Sequence, residues 1–113
     1  MATERILVGE TADFEKQTVK RVDYMGHRVV VVRIADDFYA IGDRCSHANY
    51  SLSEGDLYPD ELEIECWKHG STFSLVTGKP QTLPAVKPVP VYVVVVEAGS
   101  VYLEIPIGVK SDQ

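Results

Sequence analysis

Two short stretches of the chain each hold one cysteine and one histidine at close spacing. They read "RCSHAN", with Cys45 and His47, and "ECWKHGS", with Cys66 and His69. Residues i and i+2 of an extended segment point to the same side, so Cys45 and His47 can approach one object together. Cys66 and His69 can do so across a tight turn, after which Gly70 lets the backbone bend away. The pattern predicts one metal centre built from two loops.

Coincidence and structural zinc are the alternatives to a redox centre. Free cysteines and histidines occur in protein cores without any function, but two matched spacings in a chain with two cysteines argue against coincidence. Zinc usually takes a pair of cysteines followed by a pair of histidines. Here each loop contributes one of each, which suits a [2Fe–2S] centre. Cys45 and Cys66 would then bind one iron, and the other iron would take the two histidines, His47 and His69.

The composition is that of a globular domain with an acidic surface. The chain has 113 residues, a net charge of -6 and a pI of about 4.9. Its size fits one domain, and its charge favours a basic protein surface as partner, with no nucleic acid and no membrane. The start lacks the features of a signal peptide, and the apolar run 89–96 is too short to cross a bilayer. We expect a cytoplasmic protein.

Strand patterns dominate the chain on either side of the two cysteines. "TVKRVDY" and "RVVVVRI" flank a turn at Met25-Gly26-His27, and "VYVVVVE" and "VYLEIPI" flank Ala98-Gly99-Ser100, so both pairs are predicted hairpins. Four consecutive valines in each hairpin predict burial on both faces. The fold class is therefore mostly β, an antiparallel β-sandwich. We expect one domain, 1–113, in which a loop-rich lobe of about 42–90 is inserted into a β base formed by 1–41 and 91–113.

Three smaller features complete the expected elements. "GETADFEKQ" predicts one helical turn, with Thr11 as its cap and Phe14 packed inward. His27 stands in a hairpin turn, where we expect it to be exposed and without a partner. The alternation of acids over 61–65 predicts the solvent-facing side of a strand rather than a catalytic carboxylate pair.

The two cysteine stretches resemble the cluster-binding motif of Rieske proteins, specifically the soluble Rieske-type [2Fe–2S] ferredoxins of bacteria. The resemblance extends over "CSHANYSLSEG", "ECWKHGSTFSLVTGKP" and "LPAVKPVPVY", and with the flanking β pattern it covers nearly the whole chain. It implies a Rieske-type sandwich with a cluster-binding lobe, a one-electron carrier, and Cys45, His47, Cys66 and His69 as ligands. Respiratory Rieske proteins add a disulfide between the loops and a tyrosine where this chain has Phe73. Both departures favour a ferredoxin.

The resemblance also implies partners. We expect a flavoprotein ferredoxin reductase as electron donor and a non-haem iron oxygenase, or a related acceptor, as the component that is reduced. Service to iron–sulfur cluster assembly is an alternative, and a zinc-stabilised or cluster-less interaction subunit is a further one. The chain is not expected to be an oxygenase itself, because such a site needs two more histidines and only His27 remains.

Residues beside the ligands are expected to tune the centre. Ser71 is predicted to donate its hydroxyl to a bridging sulfide, whereas Phe73 cannot donate and is predicted to pack under the lobe. With one donor fewer, we expect a midpoint potential in the lower part of the Rieske range, roughly -150 to 0 mV.

Three further features lie near the ligands. Lys68 either adds positive potential beside the cluster, meets an acidic partner or is solvated. Trp67 is expected to pack on the sandwich rather than to shield the cluster or touch a partner. A proline loop with Pro84, Pro88 and Pro90 is predicted to form a rigid lid.

Overall fold

The computed structural model describes residues 3–15, 17–45, 50–68, 70–83, 85 and 87–106. Within these ranges the chain forms nine strands and two short 3-10 helices, the latter at Thr11–Asp13 and Leu52–Glu54. The strands are β1 Thr3–Glu10, β2 Gln17–Tyr24, β3 His27–Ile34, β4 Asp37–Gly42, β5 Leu57–Tyr58, β6 Glu63–Glu65, β7 Thr72–Ser74, β8 Val91–Glu97 and β9 Ser100–Pro106.

Six of the strands form one curled antiparallel sheet in the order β1-β9-β8-β4-β3-β2. Its two halves meet where β4 pairs with β8, through Ala40 opposite Tyr92 and Ile41 opposite Val91. The halves enclose an apolar core to which β1, β3, β4, β8 and β9 all contribute. The predicted antiparallel sandwich is therefore confirmed, as one sheet folded over its own core.

The four valines of β3 are buried on both faces of the sheet, as predicted. Val29 and Val31 lie in the core between the two sheet halves, while Val30 and Val32 pack beneath the lobe. The same prediction is wrong for β8, where Val93 is 57% exposed. The difference arises because the lobe covers β3 and β4 and leaves the outer face of β8 at the surface.

Both predicted hairpins are present, with two-residue turns of positive φ. Met25 and Gly26 have φ of 51° and 81°, and Ala98 and Gly99 have φ of 50° and 80°. Such turns match the right-handed twist of the flanking strands. They set the register in which Tyr24 pairs with His27.

The expectation for His27 is wrong. Its side chain is only 3% exposed, and its Nδ1 lies 2.8 Å from the Tyr92 hydroxyl. Residues on one face of a strand alternate, so His27 lies on the same face as Val29 and Val31 and points into the sandwich core. The residue belongs to β3 rather than to the turn.

The segment around residue 10 differs in part from its prediction. Strand β1, which pairs with β9 along its length, was not predicted, because its sequence alternates only weakly. The helical turn is a 3-10 helix capped by Glu10 rather than Thr11, in a capping box with Asp13. Phe14 is buried as expected.

The lobe between β4 and β8 contains the small antiparallel sheet β5-β6-β7. Ile64 of β6 is fully buried while the flanking Glu63 and Glu65 are not, as the alternation of acids predicts. Phe73 of β7 is fully buried beneath the lobe, also as predicted. No helix in the described ranges is long and apolar enough to cross a membrane.

Candidate metal centre

The first loop (residues 43–51) follows directly from the end of β4. Cys45 is buried, and its backbone N–H donates to the Tyr50 carbonyl at 2.9 Å. A bridge between Arg44 and Ser51 closes the base of the loop. The second predicted ligand of this loop, His47, lies outside the described residues.

The second loop (residues 66–71) connects β6 to β7. Cys66 is fully buried; its N–H donates to the Ser71 carbonyl at 2.7 Å, and its own carbonyl accepts the N–H of Gly70 at 2.9 Å. Gly70 has a φ of 77°, the left-handed conformation that favours glycine. The tight turn that the sequence predicts after Cys66 is therefore present, and His69 within it lies outside the described residues.

The two cysteines, although distant in sequence, belong to one buried cluster between the lobe and the sheet. Neither forms a disulfide. Within the described residues no group of three metal-ligating side chains is found, as expected when both histidines lie outside those ranges. The structure thus brings the two predicted sulfur ligands into the same interior.

Ser71 lies in the same interior and is fully buried. Its hydroxyl oxygen accepts the N–H of Ala85 at 3.0 Å. No acceptor for its own proton is found in the described part of the chain, although a buried hydroxyl normally donates. That proton is available to an acceptor outside the described residues.

A third loop (residues 80–90) runs along the second loop. Gln81 N–H donates to the Thr72 carbonyl at 2.7 Å, and Thr82 Oγ1 accepts the Thr72 N–H at 2.9 Å. Farther along, the Pro90 carbonyl accepts the Gly42 N–H at 2.8 Å. The proline loop is therefore attached to the start of β7 at one end and to β4 at the other, although Pro84 is outside the described residues.

A charged group beneath the first loop was missed by the sequence reasoning. Asp43 is fully buried; its Oδ1 accepts the Ser53 N–H at 2.8 Å. Its Oδ2 lies 3.7 Å from Arg21 Nε and 3.8 Å from Arg28 Nη2. Both guanidinium groups also donate to Ser51 Oγ. This network ties both ends of the first loop to β2 and β3.

The charges of this network are only partly matched by hydrogen bonds. Within the described residues, Asp43 Oδ2 and Arg28 Nε have no hydrogen-bond partner, so Coulomb attraction at nearly 4 Å balances the buried carboxylate. The pKa of Arg21 is raised above its ordinary value, first by its hydrogen bond to Asp23 and further by the charge of Asp43. No local pattern predicts the network, since Arg21, Arg28 and Asp43 come from three different strands or strand ends.

At the surface of the loops, Trp67 does not pack on the sandwich as expected. It is 50% exposed, and its ring meets that of Tyr50 edge to face, with centroids 5.1 Å apart. Lys68 Nζ lies 5.9 Å from the centroid of each ring. The three side chains join the first loop to the second.

On the acidic side of the lobe, Tyr58 and Glu65 form a hydrogen bond. The Tyr58 hydroxyl donates to the Glu65 carboxylate, and this bond raises the pKa of Tyr58 above its ordinary value. Both groups are at the surface, which agrees with a solvent-facing role for the acids of this strand.

Comparison with known proteins identifies the family. The family model of the Rieske [2Fe-2S] domain matches residues 4–93, which include both loops. The chain belongs to the Rieske family. The 3-phenylpropionate/cinnamic acid dioxygenase ferredoxin subunit of Escherichia coli is 39% identical to this Rieske protein over 102 residues, which cover 90% of this chain and 94% of the relative.

Solved structures agree in both fold and sequence. The ferredoxin of carbazole 1,9a-dioxygenase from Nocardioides aromaticivorans is 36% identical, with a TM-score of 0.85 over 88% of this chain and 95% of that one. A chain in the complex of reduced oxygenase and oxidized ferredoxin of carbazole 1,9a-dioxygenase is 39% identical, with a TM-score of 0.82 over 88% of this chain and 91% of that one. This Rieske protein is accordingly an electron-transfer protein of the ferredoxin kind rather than a catalytic subunit.

The cofactor of the family is a Rieske [2Fe–2S] cluster, and the interior described above fits it. Two buried thiols from separate loops would supply soft ligands of the kind that iron–sulfur clusters take. The buried Ser71 lies next to one of these positions, because its carbonyl accepts the N–H of Cys66. The predicted Rieske ferredoxin and its cluster are confirmed by the family and its relatives.

Proposed function

We propose that this Rieske protein carries single electrons from a flavoprotein ferredoxin reductase to a non-haem iron oxygenase. The observation that carries the proposal is that Cys45 and Cys66, from separate loops, belong to one buried cluster. The chain that contains this cluster is related to dioxygenase ferredoxins. Delivery to an oxygenase is supported by the relative whose structure is a complex of oxygenase and ferredoxin. The cluster, when bound, accepts one electron and gives it back.

The proposed ligands are Cys45 and Cys66 for one iron and His47 and His69 for the other. Two neutral imidazoles leave the centre less negative than four thiolates would, which raises its potential relative to an all-cysteine ferredoxin. Hydrogen bonds from their backbone N–H groups hold Cys45 and Cys66 in their loops. Burial of both thiols excludes water from the sulfur side.

The protein surroundings have defined tasks in this proposal. Ser71 donates a hydrogen bond that becomes stronger when negative charge is added, and so favours the reduced state. Phe73 supplies apolar packing without a donor. The third loop, held by Thr82 and Pro90, covers the centre as a rigid lid.

We propose that the chain is a single domain, 1–113, and that it acts in the cytoplasm. The lobe of about 42–90 is proposed to bind the cluster. Its net charge of -6 favours partners with basic docking surfaces. Association steered by such charges weakens as ionic strength rises. Electron transfer to a physiological oxygenase should therefore slow in high salt.

The first experiment is EPR of the dithionite-reduced protein, purified under nitrogen. A rhombic signal with the low average g-value of nitrogen-ligated iron is the expected result. Cys45→Ser and His69→Ala should abolish it, whereas His27→Ala, which alters a histidine in the sandwich core, should keep it. A colourless, EPR-silent protein that contains zinc would overturn the proposal.

The second experiment tests the direction of electron flow. The protein is mixed with a flavoprotein ferredoxin reductase and a Rieske oxygenase, and oxygenase product is measured against a mixture without it. Product that depends on this protein is expected. If reduced protein instead transfers its cluster to an apo acceptor and supports no product, the oxygenase role would be wrong and cluster assembly would take its place.

A further inference from the structure

We infer that Tyr50, Trp67 and Lys68 form a non-covalent clamp that holds the two ligand-bearing loops together. We call these three residues the aromatic clamp. Tyr50 belongs to the first loop, and Trp67 and Lys68 belong to the second. The inference rests on the proposed ligand set, because the clamp acts by keeping those ligands at their places.

The geometry of the clamp is that of a favourable aromatic pair with a cation above it. The two ring centroids are 5.1 Å apart and the ring planes are inclined at 81°, which places the positive edge of one ring against the negative face of the other. Lys68 Nζ is 5.9 Å from both centroids, within the range of cation–π attraction. A single ammonium group therefore attracts rings from both loops.

The residue that carries each ring is connected through its backbone to a proposed sulfur ligand. The carbonyl of Tyr50 accepts the N–H of Cys45 at 2.9 Å, so the position of Tyr50 determines where the Cys45 backbone lies. Trp67 follows Cys66 in the chain, and the N–H of Cys66 is held in the second loop by the Ser71 carbonyl at 2.7 Å. Contact between the rings therefore links the two backbone segments that carry Cys45 and Cys66.

The chain has no covalent means of making this connection. It contains two cysteines, neither of which forms a disulfide and both of which are proposed as ligands, so no disulfide can join the loops. Trp67 remains 50% exposed, yet its ring is held against Tyr50 instead of lying flat on the lobe. An aromatic residue in this place is explained by the contact across the loops.

The test is the rate at which the bound cluster is lost to a chelator. Visible absorbance of the purified protein is followed after excess EDTA is added. Tyr50→Ala should lose absorbance roughly fivefold faster than the wild type, a factor consistent with one aromatic pair. Tyr50→Phe keeps the ring and should stay within about twofold.

Coupling between the loops has its own signature. Trp67→Ala should accelerate loss about as much as Tyr50→Ala, and the double variant should be little faster than either, because both substitutions remove one interaction. Lys68→Met keeps a side chain of similar length without its charge and should accelerate cluster loss about twofold. If Tyr50→Ala fails to fold, Trp67→Ala and Lys68→Met decide the matter.

The matched control is Tyr102→Ala. Tyr102 on β9 forms a similar pair with Arg5, whose Cζ lies 5.7 Å from its centroid, but on the sheet rather than on the loops. Its loss should lower the melting temperature without changing the rate of chelation. Wild-type rates for both Tyr50→Ala and Trp67→Ala, or effects that multiply in the double variant, would overturn the clamp. A wild-type protein without the Rieske EPR signal would instead overturn the proposed function.

Discussion

The hydroxyl oxygen of Ser71 accepts the backbone N–H of Ala85 at 3.0 Å, and both residues are buried. This bond joins the second loop to the third and orients the hydroxyl. An oxygen that accepts from Ala85 still carries a proton, and the Ser71 carbonyl accepts the Cys66 N–H, so Ser71 lies next to a proposed ligand. Donation from Ser71 to the cluster stays a prediction, and its hydroxyl is held by a residue that lies fourteen positions away.

Replacing Ser71 by alanine should lower the midpoint potential by roughly 60–130 mV. A hydrogen bond to a charged group contributes about 1.5–3 kcal/mol, and for one electron about 59 mV corresponds to a tenfold change. Protein-film voltammetry measures the shift. Ser74→Ala, which alters a serine whose hydroxyl only accepts backbone N–H groups at the surface, should leave the potential unchanged. Equal midpoint potentials for Ser71→Ala and wild type would show that Ser71 only joins the second loop to the third and does not affect the cluster.

The wild-type midpoint should lie at roughly -150 to 0 mV, the lower part of the Rieske range. The physical reason is that Phe73, fully buried below the lobe, has no hydroxyl to stabilise added negative charge. Redox titration followed by EPR or circular dichroism gives the value. A midpoint far above this window would mean that other donors replace the missing one.

Asp43→Ala should destabilise the protein by about 2–4 kcal/mol, less than a fully buried ion pair because Arg21 and Arg28 remain partly hydrated. The substitution leaves the Ser53 N–H without its acceptor and removes the carboxylate that faces Arg21 and Arg28, of which Arg21 keeps its ion pair with Asp23. Urea denaturation of the variant measures the loss. The control is Asp36→Ala, because Asp36 pairs with Arg33 at the surface, and its removal should cost less than about 0.5 kcal/mol. Similar urea concentrations at half-unfolding for the two variants would contradict this account.

Gly55→Ala should prevent folding or destabilise the protein by more than about 3 kcal/mol. A Cβ atom on Gly55 would lie 1.6 Å from the backbone oxygen of Glu65, and neither backbone can move without displacing the strand that leads to Cys66. Gly26→Ala provides the comparison. Nothing lies within 4 Å of a Cβ there, although φ is +81°, so only a cost of about 1 kcal/mol is expected. Thermal unfolding followed by circular dichroism distinguishes the two, and a small effect at Gly55 would mean that the lobe can open.

Local patterns in the sequence were enough to predict the ligand motif, the hairpins and the burial of β3. The spacing of Cys45 from His47 and of Cys66 from His69 is itself the chemical signal, because residues so close in the chain share a loop in any fold. Turns such as Met25-Gly26 require positive φ, which few residues adopt, so these turns can also be predicted from the local sequence. The four valines of β3 correctly predict a strand buried on both faces, whereas the same pattern in β8 fails because the lobe does not cover that strand.

Other features were decided only when distant strands met. Asp43 is balanced by Arg21 and Arg28 because the register of β2, β3 and β4 brings them together. His27 is buried because the sheet folds so that Tyr92 faces it.

The contact between Tyr50 and Trp67 likewise depends on how the first loop lies over the second. A sequence reports the preferences of neighbouring residues, whereas pairings between segments depend on the packing of the whole sheet. For this protein the sequence determined the family motif and, with it, which residues are proposed to bind the cluster. The tertiary structure determined what holds their loops in place.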